Sequence, residues 1–245
     1  MKVLELFSGT GSIGKICKAR GYDVVSLDMK LPATIKTDIN TWDYKKSGYP
    51  VGYFDLITAS PVCLWWSRIR NSWIGRQLKS HPDVIVTKEV LDQDIETYGK
   101  PMVKKTLEII EYFNPKYYWI ENPQTGRMKE FITDRNYYDV DYCKYADWGY
   151  KKRTRFWTNI TSFTPKTCKK DCNSIKNGRH IKLIGFPSCI DDEGNTIILN
   201  NKISRDNYRQ QGKKYKTDKS NDTTKLERYR IPPKLIEELL DGCCY

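Results

Sequence analysis

No apolar run in this 245-residue chain approaches the ~20 residues that a membrane-spanning helix needs. No separate leader-like segment stands at the start, where MKVLELFSG runs from Met1 directly into what reads as a strand. There is no internal repeat and no low-complexity tract. None of the eight cysteines forms a Cys-x-x-Cys pair. These absences lead us to expect an intracellular protein, in cytoplasm or nucleus, with reduced thiols and no membrane partner. Any special cysteine is then catalytic or metal-bound. Carboxylates are scarce in one place. Residues 151–219 hold 17 Lys+Arg against 6 Asp+Glu, so nearly all of the net charge of +12 sits in that block. Such confinement is the footprint of a polyanion, with nucleic acid first.

What is present reads as an α/β domain. Apolar runs at Val3–Phe7, Asp23–Leu27, Phe54–Ala59, Tyr117–Ile120, Tyr137–Cys143 and Thr154–Ile160 suggest strands, with a short further one at Thr34–Thr37. Helical spacing marks Ser12–Arg20 and Pro101–Phe113, and Pro232–Leu240 reads as an amphipathic helix. Strands alternating with helices predict a parallel, Rossmann-like sheet. Residues 68–100 show few apolar periods and read as a mobile loop with one short helix. The expected organisation is a catalytic and cofactor domain over 1–160, a small irregular basic lobe over 161–222 and a C-terminal helix within 223–245 that returns to the first domain.

Chemistry-bearing residues fall where these strands end, the edge at which doubly wound sheets hold ligands. The turn Phe7-Ser8-Gly9-Thr10-Gly11-Ser12-Ile13-Gly14 contains Gly-x-Gly-x-x-Gly, a spelling shared by dinucleotide and S-adenosylmethionine sites. Asp28 follows the next strand, where it can accept from ribose hydroxyls, with Met29 beside it. Asp38-Ile39 can border an adenine ring. An oxidoreductase binding a dinucleotide is therefore one reading of the turn. Cys63, in SPVCLWWS (Ser60–Ser67), could be a core residue, half of a disulfide, a metal ligand or a nucleophile.

Four stretches in order resemble the C5-cytosine DNA methyltransferase family. FSGTGSIG is similar to its cofactor loop, SPVCLWWS to its Pro-Pro-Cys-Gln loop, Trp119–Pro123 (WIENP) to its Glu-Asn-Val motif and Lys151–Trp157 (KKRTRFW) to its Gln-x-Arg-x-Arg motif. The likeness covers residues 1–160 well and the last twenty loosely. It departs from the family at Val62, Leu64, Pro123, Lys151 and Arg228-Tyr229. The resemblance implies S-adenosylmethionine as cofactor, held by Phe7, Ser8, Gly9, Thr10, Gly11, Ser12, Ile13, Asp28, Met29, Asp38, Ile39 and Pro61. It implies Cys63 as nucleophile toward carbon 6 of a flipped-out cytosine and Glu121 as the acid at N3. Asn122 would hold the loop, Arg155 contact the base and Arg153 contact a phosphate. The partner implied is double-stranded DNA, bound by a monomer through the basic lobe, with or without a restriction endonuclease at its side. A tRNA cytosine-5 methyltransferase and a catalytically silent DNA-binding protein on the same fold are the alternatives.

Cys168, Cys172, His180 and Cys189 offer four soft ligands in the basic lobe. Their spacing fits no standard pair, so the expectation is that no metal binds. Cys243-Cys244 are expected to be frayed and reactive.

Overall fold

The computed structural model describes residues 1–182 and 229–244, and the backbone of 188–190 and 196–198. Most of the predicted basic lobe lies outside these residues. The elements in chain order begin with β1 (Lys2–Leu6), α1 (Ser12–Ala19), β2 (Asp23–Leu27), β3 (Leu56–Ala59), β4 (Gln77–Leu78) and β5 (His81–Ile85). They continue with α2 (Lys88–Asp94), α3 (Lys100–Phe113), β6 (Tyr117–Pro123), β7 (Tyr137–Asp141) and β8 (Arg153–Thr158). The short strands β9 (Ile175–Lys176), β10 (Arg179–His180), β11 (Ser188–Ile190) and β12 (Thr196–Ile198) precede α4 (Pro233–Asp241).

Six strands form one sheet in the order β2-β1-β3-β6-β8-β7. The first four are mutually parallel, and β8 runs antiparallel to both β6 and β7. The sheet is therefore mixed and mostly parallel, a Rossmann-like α/β arrangement. Because β1 has β2 on one side and β3 on the other, the strand order reverses at β1. The crevice at that reversal is where such sheets bind ligands.

Successive side chains of a strand point to opposite faces, and both faces of β1 are covered. Leu4 and Leu6 pack with Ile57, Val103, Ile110 and Phe113 under α3. Val3 packs on the other face with Ile13 and Cys17 of α1 and Leu235, Leu239 and Leu240 of α4. Each such aliphatic side chain contributes about 1.5–3 kcal/mol on burial. An ion pair from Arg20 to Asp241 at 2.7 Å also joins α1 to α4. Cys243 is buried in this cluster rather than frayed, because the turn after α4 folds back onto it; Cys244 is exposed.

Three local readings are corrected by the structure. Thr34–Thr37 makes only a single bridge, Leu27 to Ile35, and no strand. β6 does not stop at Ile120 but continues through Glu121, Asn122 and Pro123, because β8 pairs with all three. Residues 68–100 are ordered as the short hairpin β4–β5 and then a helix. Thr87 caps that helix by accepting the Val90 N–H. α2 continues through one wide π turn (Ile95–Gly99) into α3. Pro101, read from sequence as a helix start, sits just past the π turn. A wider turn there makes room for the proline ring, which has no N–H to donate to the preceding turn.

The π turn also receives Trp66. A Cβ on Gly99 would lie 3.1 Å from two ring atoms of Trp66, so any larger residue there would push the indole back by a few tenths of an ångström. Trp66 is buried and tilted against Phe131, and Trp65 stacks on Tyr98 at 4.6 Å. The two tryptophans after Cys63 thus moor its loop to the helix. Trp66→Ala is expected to cost about 3–5 kcal/mol in urea denaturation, the range for removing a buried tryptophan. A loss under about 1 kcal/mol would mean that the loop is held otherwise.

Candidate active site

The glycine turn leaves β1 at the sheet's carboxyl edge. Phe7, Gly9 and Gly11 all have positive φ (56°, 53° and 69°), so the chain reverses sharply before α1. Ser8 N–H donates to Leu27 O at 3.0 Å, which seats the turn against the end of β2. Asp28 organises it further: Oδ2 accepts the Gly9 N–H at 2.9 Å, and Oδ1 accepts those of Lys30 and Leu31. A carboxylate offers about four lone-pair sites, so one remains for a ligand hydroxyl. Ser8 Oγ is buried and has no hydrogen-bond partner among the described residues. An orphaned hydroxyl beside a partly committed carboxylate suits a polar, hydroxyl-bearing group. Thr10 and Ser12 hydrogen-bond each other at 3.1 Å, Met29 is exposed, and Asp38 accepts the Asn40 N–H. Ile39 is buried in the core rather than open at the crevice.

Gly14 and Ile13 also serve a residue of β1. Their backbone N–H groups donate to Glu5, a buried carboxylate on β1. A Cβ on Gly14 would stand 2.5 Å from Glu5 Oε2, so Gly14 is needed for close helix–strand packing. Burial pushes the Glu5 carboxyl up to about 7, against the opposing pull of those N–H groups and Lys18. Between its ordinary value of 4.5 and about 7, only the folded chain keeps this proton. Stability contributed by Glu5 is thus complete at low pH and lost as pH rises through about 7, by at most about 3 kcal/mol. Glu5→Gln should remove that slope. Denaturation midpoints at about pH 5 and 8 test it, and parallel slopes in both proteins would contradict it.

Cys63 opens the turn that follows β3 and is half-buried. Its loop is pinned from β6: Asn122 Nδ2 donates to Pro61 O at 2.8 Å. Asn122 Oδ1 is buried and has no partner among the described residues. By contrast, burial pushes the thiols of Cys17 and Cys243 up to about 12, which leaves both inert near neutral pH. Pairing of Ala59 with Ile120 brings the Cys63 loop alongside Glu121. Glu121 is buried; its Oε1 accepts from Tyr142 Oη at 3.0 Å and meets Lys152 Nζ at 3.5 Å.

Both arginines lie on β8 and are gripped by the edge strand. Arg155 makes a bidentate pair with Asp139 (2.7 and 2.9 Å) and lies 3.5 Å over the Tyr137 ring. Arg153 pairs in the same way with Asp141 (3.0 and 2.8 Å). These carboxylates hold both guanidinium groups firmly charged. Each pair uses two of the five guanidinium N–H donors, and Arg155 also hydrogen-bonds Tyr137, so among the described residues each arginine keeps donors for a ligand. The partner carboxylates, Glu5, Tyr142 and Lys152 were missed from sequence. Asp139-x-Asp141 facing Arg153-x-Arg155 was a readable signal, since alternate residues of paired strands share a face.

No protein-family model matches the chain. A "Probable DNA (cytosine-5)-methyltransferase" of Frog virus 3 (isolate Goorha) is 40% identical over 246 residues, spanning 99% of this chain and 100% of that one. A solved SAM dependent methyltransferase from Archaeoglobus fulgidus aligns over 58% of this chain and 64% of its own, at 15% identity and TM-score 0.34. A triple mutant of Spodoptera frugiperda DNMT2 aligns over 68% of this chain and 54% of its own, at 18% identity and TM-score 0.40. Likenesses that slight carry no part of the assignment. The viral relative does, because it matches end to end: the chain belongs to the DNA (cytosine-5)-methyltransferase family.

Proposed function

We propose that this chain methylates carbon 5 of cytosine in double-stranded DNA, using S-adenosylmethionine and Cys63 as nucleophile. The observation that supports the reading is the Asn122–Pro61 hydrogen bond, which ties the loop of half-buried Cys63 to the strand residue next to the buried carboxylate Glu121. Carbon 5 of cytosine is too weak a nucleophile to take a methyl group unaided. The Cys63 thiolate adds to carbon 6, forming an S–C bond and pushing the ring's electrons toward N3 and carbon 5. Glu121 meets the charge at N3 by giving up a proton. Its Oε1 is engaged by Tyr142 and Lys152, so Oε2 is the oxygen for the base. When bound, S-adenosylmethionine supplies an electrophilic methyl group on a sulfonium sulfur, which departs as a neutral thioether. Loss of the carbon 5 proton to base then re-forms the ring's double bond and expels Cys63 as thiolate, and the N3 proton returns to Glu121.

The spare lone pair of Asp28, the Ser8 hydroxyl and the turn at Gly9–Gly11 are the groups suited to hold that cofactor. The free donors of Arg155 would serve the flipped base and those of Arg153 a phosphate. The excess of basic residues over 151–219 would supply salt-dependent affinity for the DNA backbone.

The test is expression in cells that lack cytosine methylation, followed by bisulfite sequencing of their DNA and tRNA. Protection of cytosines in one short DNA context is expected. Soluble, cofactor-binding protein that leaves DNA unprotected would overturn the reading, and protection confined to tRNA would replace the substrate.

A further inference from the structure

We propose that Cys143, Cys168, Cys172 and His180 bind a structural zinc ion that fastens the segment after β8 to the end of β7. Three thiols and one imidazole present ligand atoms that all lie within 4.8 Å of one another. Cys168 Sγ is 3.6 Å and Cys172 Sγ 3.5 Å from His180 Nε2. A tetrahedral site with Zn–S of about 2.3 Å and Zn–N of about 2.0–2.1 Å has an S···N edge of about 3.6 Å. The two sulfur–imidazole separations thus match the edges of a filled tetrahedron. All three cysteines are free, so no disulfide accounts for the convergence.

The backbone is arranged to bring the four together. Cys143 lies on the helical turn Tyr142–Lys144 directly after β7. Cys168 and Cys172 flank a tight loop in which Lys170, a non-glycine residue, has φ 69° and donates its N–H to Cys168 Sγ at 3.3 Å. A left-handed conformation at such a residue persists only where its surroundings over-determine it. His180 is returned by the hairpin β9–β10, whose turn is Asn177-Gly178, both at positive φ (50° and 72°). This segment has only two-residue strands and little apolar core, so a metal crosslink can supply what packing does not. Soft S₃N donors in a closed tetrahedron select zinc, and with four protein ligands no position is open for catalysis.

The site also has a consequence for Arg153. The Cys168 N–H donates to Asp141 Oδ2 at 2.7 Å, and that same oxygen accepts from Arg153. The metal would therefore fix one side of the carboxylate that orients Arg153, and would root the basic block on the sheet. Of the four candidates read from sequence, three converge. Cys189 falls on β11, whose side chains lie outside the described residues, and among the described residues Cys143 completes a set of four.

The test uses the full chain, purified under reducing conditions without chelator. Elemental analysis should find one zinc per chain, and titration with a mercurial should release it as these thiols are consumed. Cobalt exchanged into the site should show the intense visible bands of tetrahedral thiolate coordination. Cys143→Ser should reduce the zinc content to near zero while Cys244→Ser leaves it at one. If Cys143→Ser fails to fold, the wild-type zinc content, mercurial titration and cobalt spectrum decide alone. Soluble wild-type protein that carries no zinc and takes up neither zinc nor cobalt under reducing conditions would overturn the proposal. So would a Cys168–Cys172 disulfide in the freshly isolated protein. None of these readouts depends on methyl transfer.

Discussion

Cys63→Ala is expected to abolish cytosine methylation while leaving the fold intact. The side chain is half-exposed on a turn, so its truncation removes little packing and creates no enclosed cavity. The mooring of the loop lies elsewhere, in Trp66 at Gly99 and in the Asn122–Pro61 hydrogen bond. What disappears is the only group at this position that can add to carbon 6. Without that addition, carbon 5 has no electron density to offer a methyl group. Bisulfite sequencing should show protection at background, while thermal melting and cofactor binding stay at wild-type values. Residual methylation at a tenth or more of the wild-type rate would remove Cys63 from the chemistry, since about 1.4 kcal/mol is far too little for a covalent nucleophile.

Glu121→Gln separates proton donation from hydrogen bonding. Glutamine keeps an oxygen for Tyr142 and Lys152 and keeps a donor for N3, but it cannot transfer a proton. The expected loss in kcat is about 10²–10⁴-fold, the usual worth of a positioned general acid. KM for DNA should change little, because the interaction lost strengthens only as charge develops on the ring. Single-turnover rates together with DNA titrations give both quantities. A raised KM with unchanged kcat would make Glu121 a binding residue and not an acid.

The parts of the fold that rest on local pattern were legible in the sequence. β1, α1, β2, β3 and α4 each carry an apolar period of the right kind, and the glycine turn marked the reversal point of the sheet. Elements built on long-range contact were not. α2 has almost no apolar stripe, and its position follows from the Thr87 cap and from Trp66 entering the π turn. The extension of β6 through Glu121–Pro123 depends on β8, which pairs with it from thirty-odd residues away.

The candidate site shows the same division. Cys63, Glu121, Asn122, Arg153 and Arg155 could be named from their order along the chain. Their supports could not, because those lie on other strands: Asp139 and Asp141 beneath the arginines, and Tyr142 beside Glu121. Gly14 was legible only as the third glycine of its motif; that it packs against Glu5 was not, because no local pattern reveals the burial of Glu5. Cys143 stood twenty-five residues before the nearest other thiol of its cluster, too far for any spacing rule.

The central claim is a covalent bond between Cys63 and the target base. Its most direct test is a DNA duplex in which 5-fluorocytosine replaces cytosine at the target revealed by bisulfite sequencing. Fluorine cannot leave carbon 5 as a proton does, so the reaction stops after methyl transfer with the S–C bond intact. The account predicts a denaturation-resistant protein–DNA adduct that forms only with S-adenosylmethionine present and maps to Cys63 by peptide mass spectrometry. Methylating protein that yields no adduct, or an adduct mapped to another residue, would contradict it.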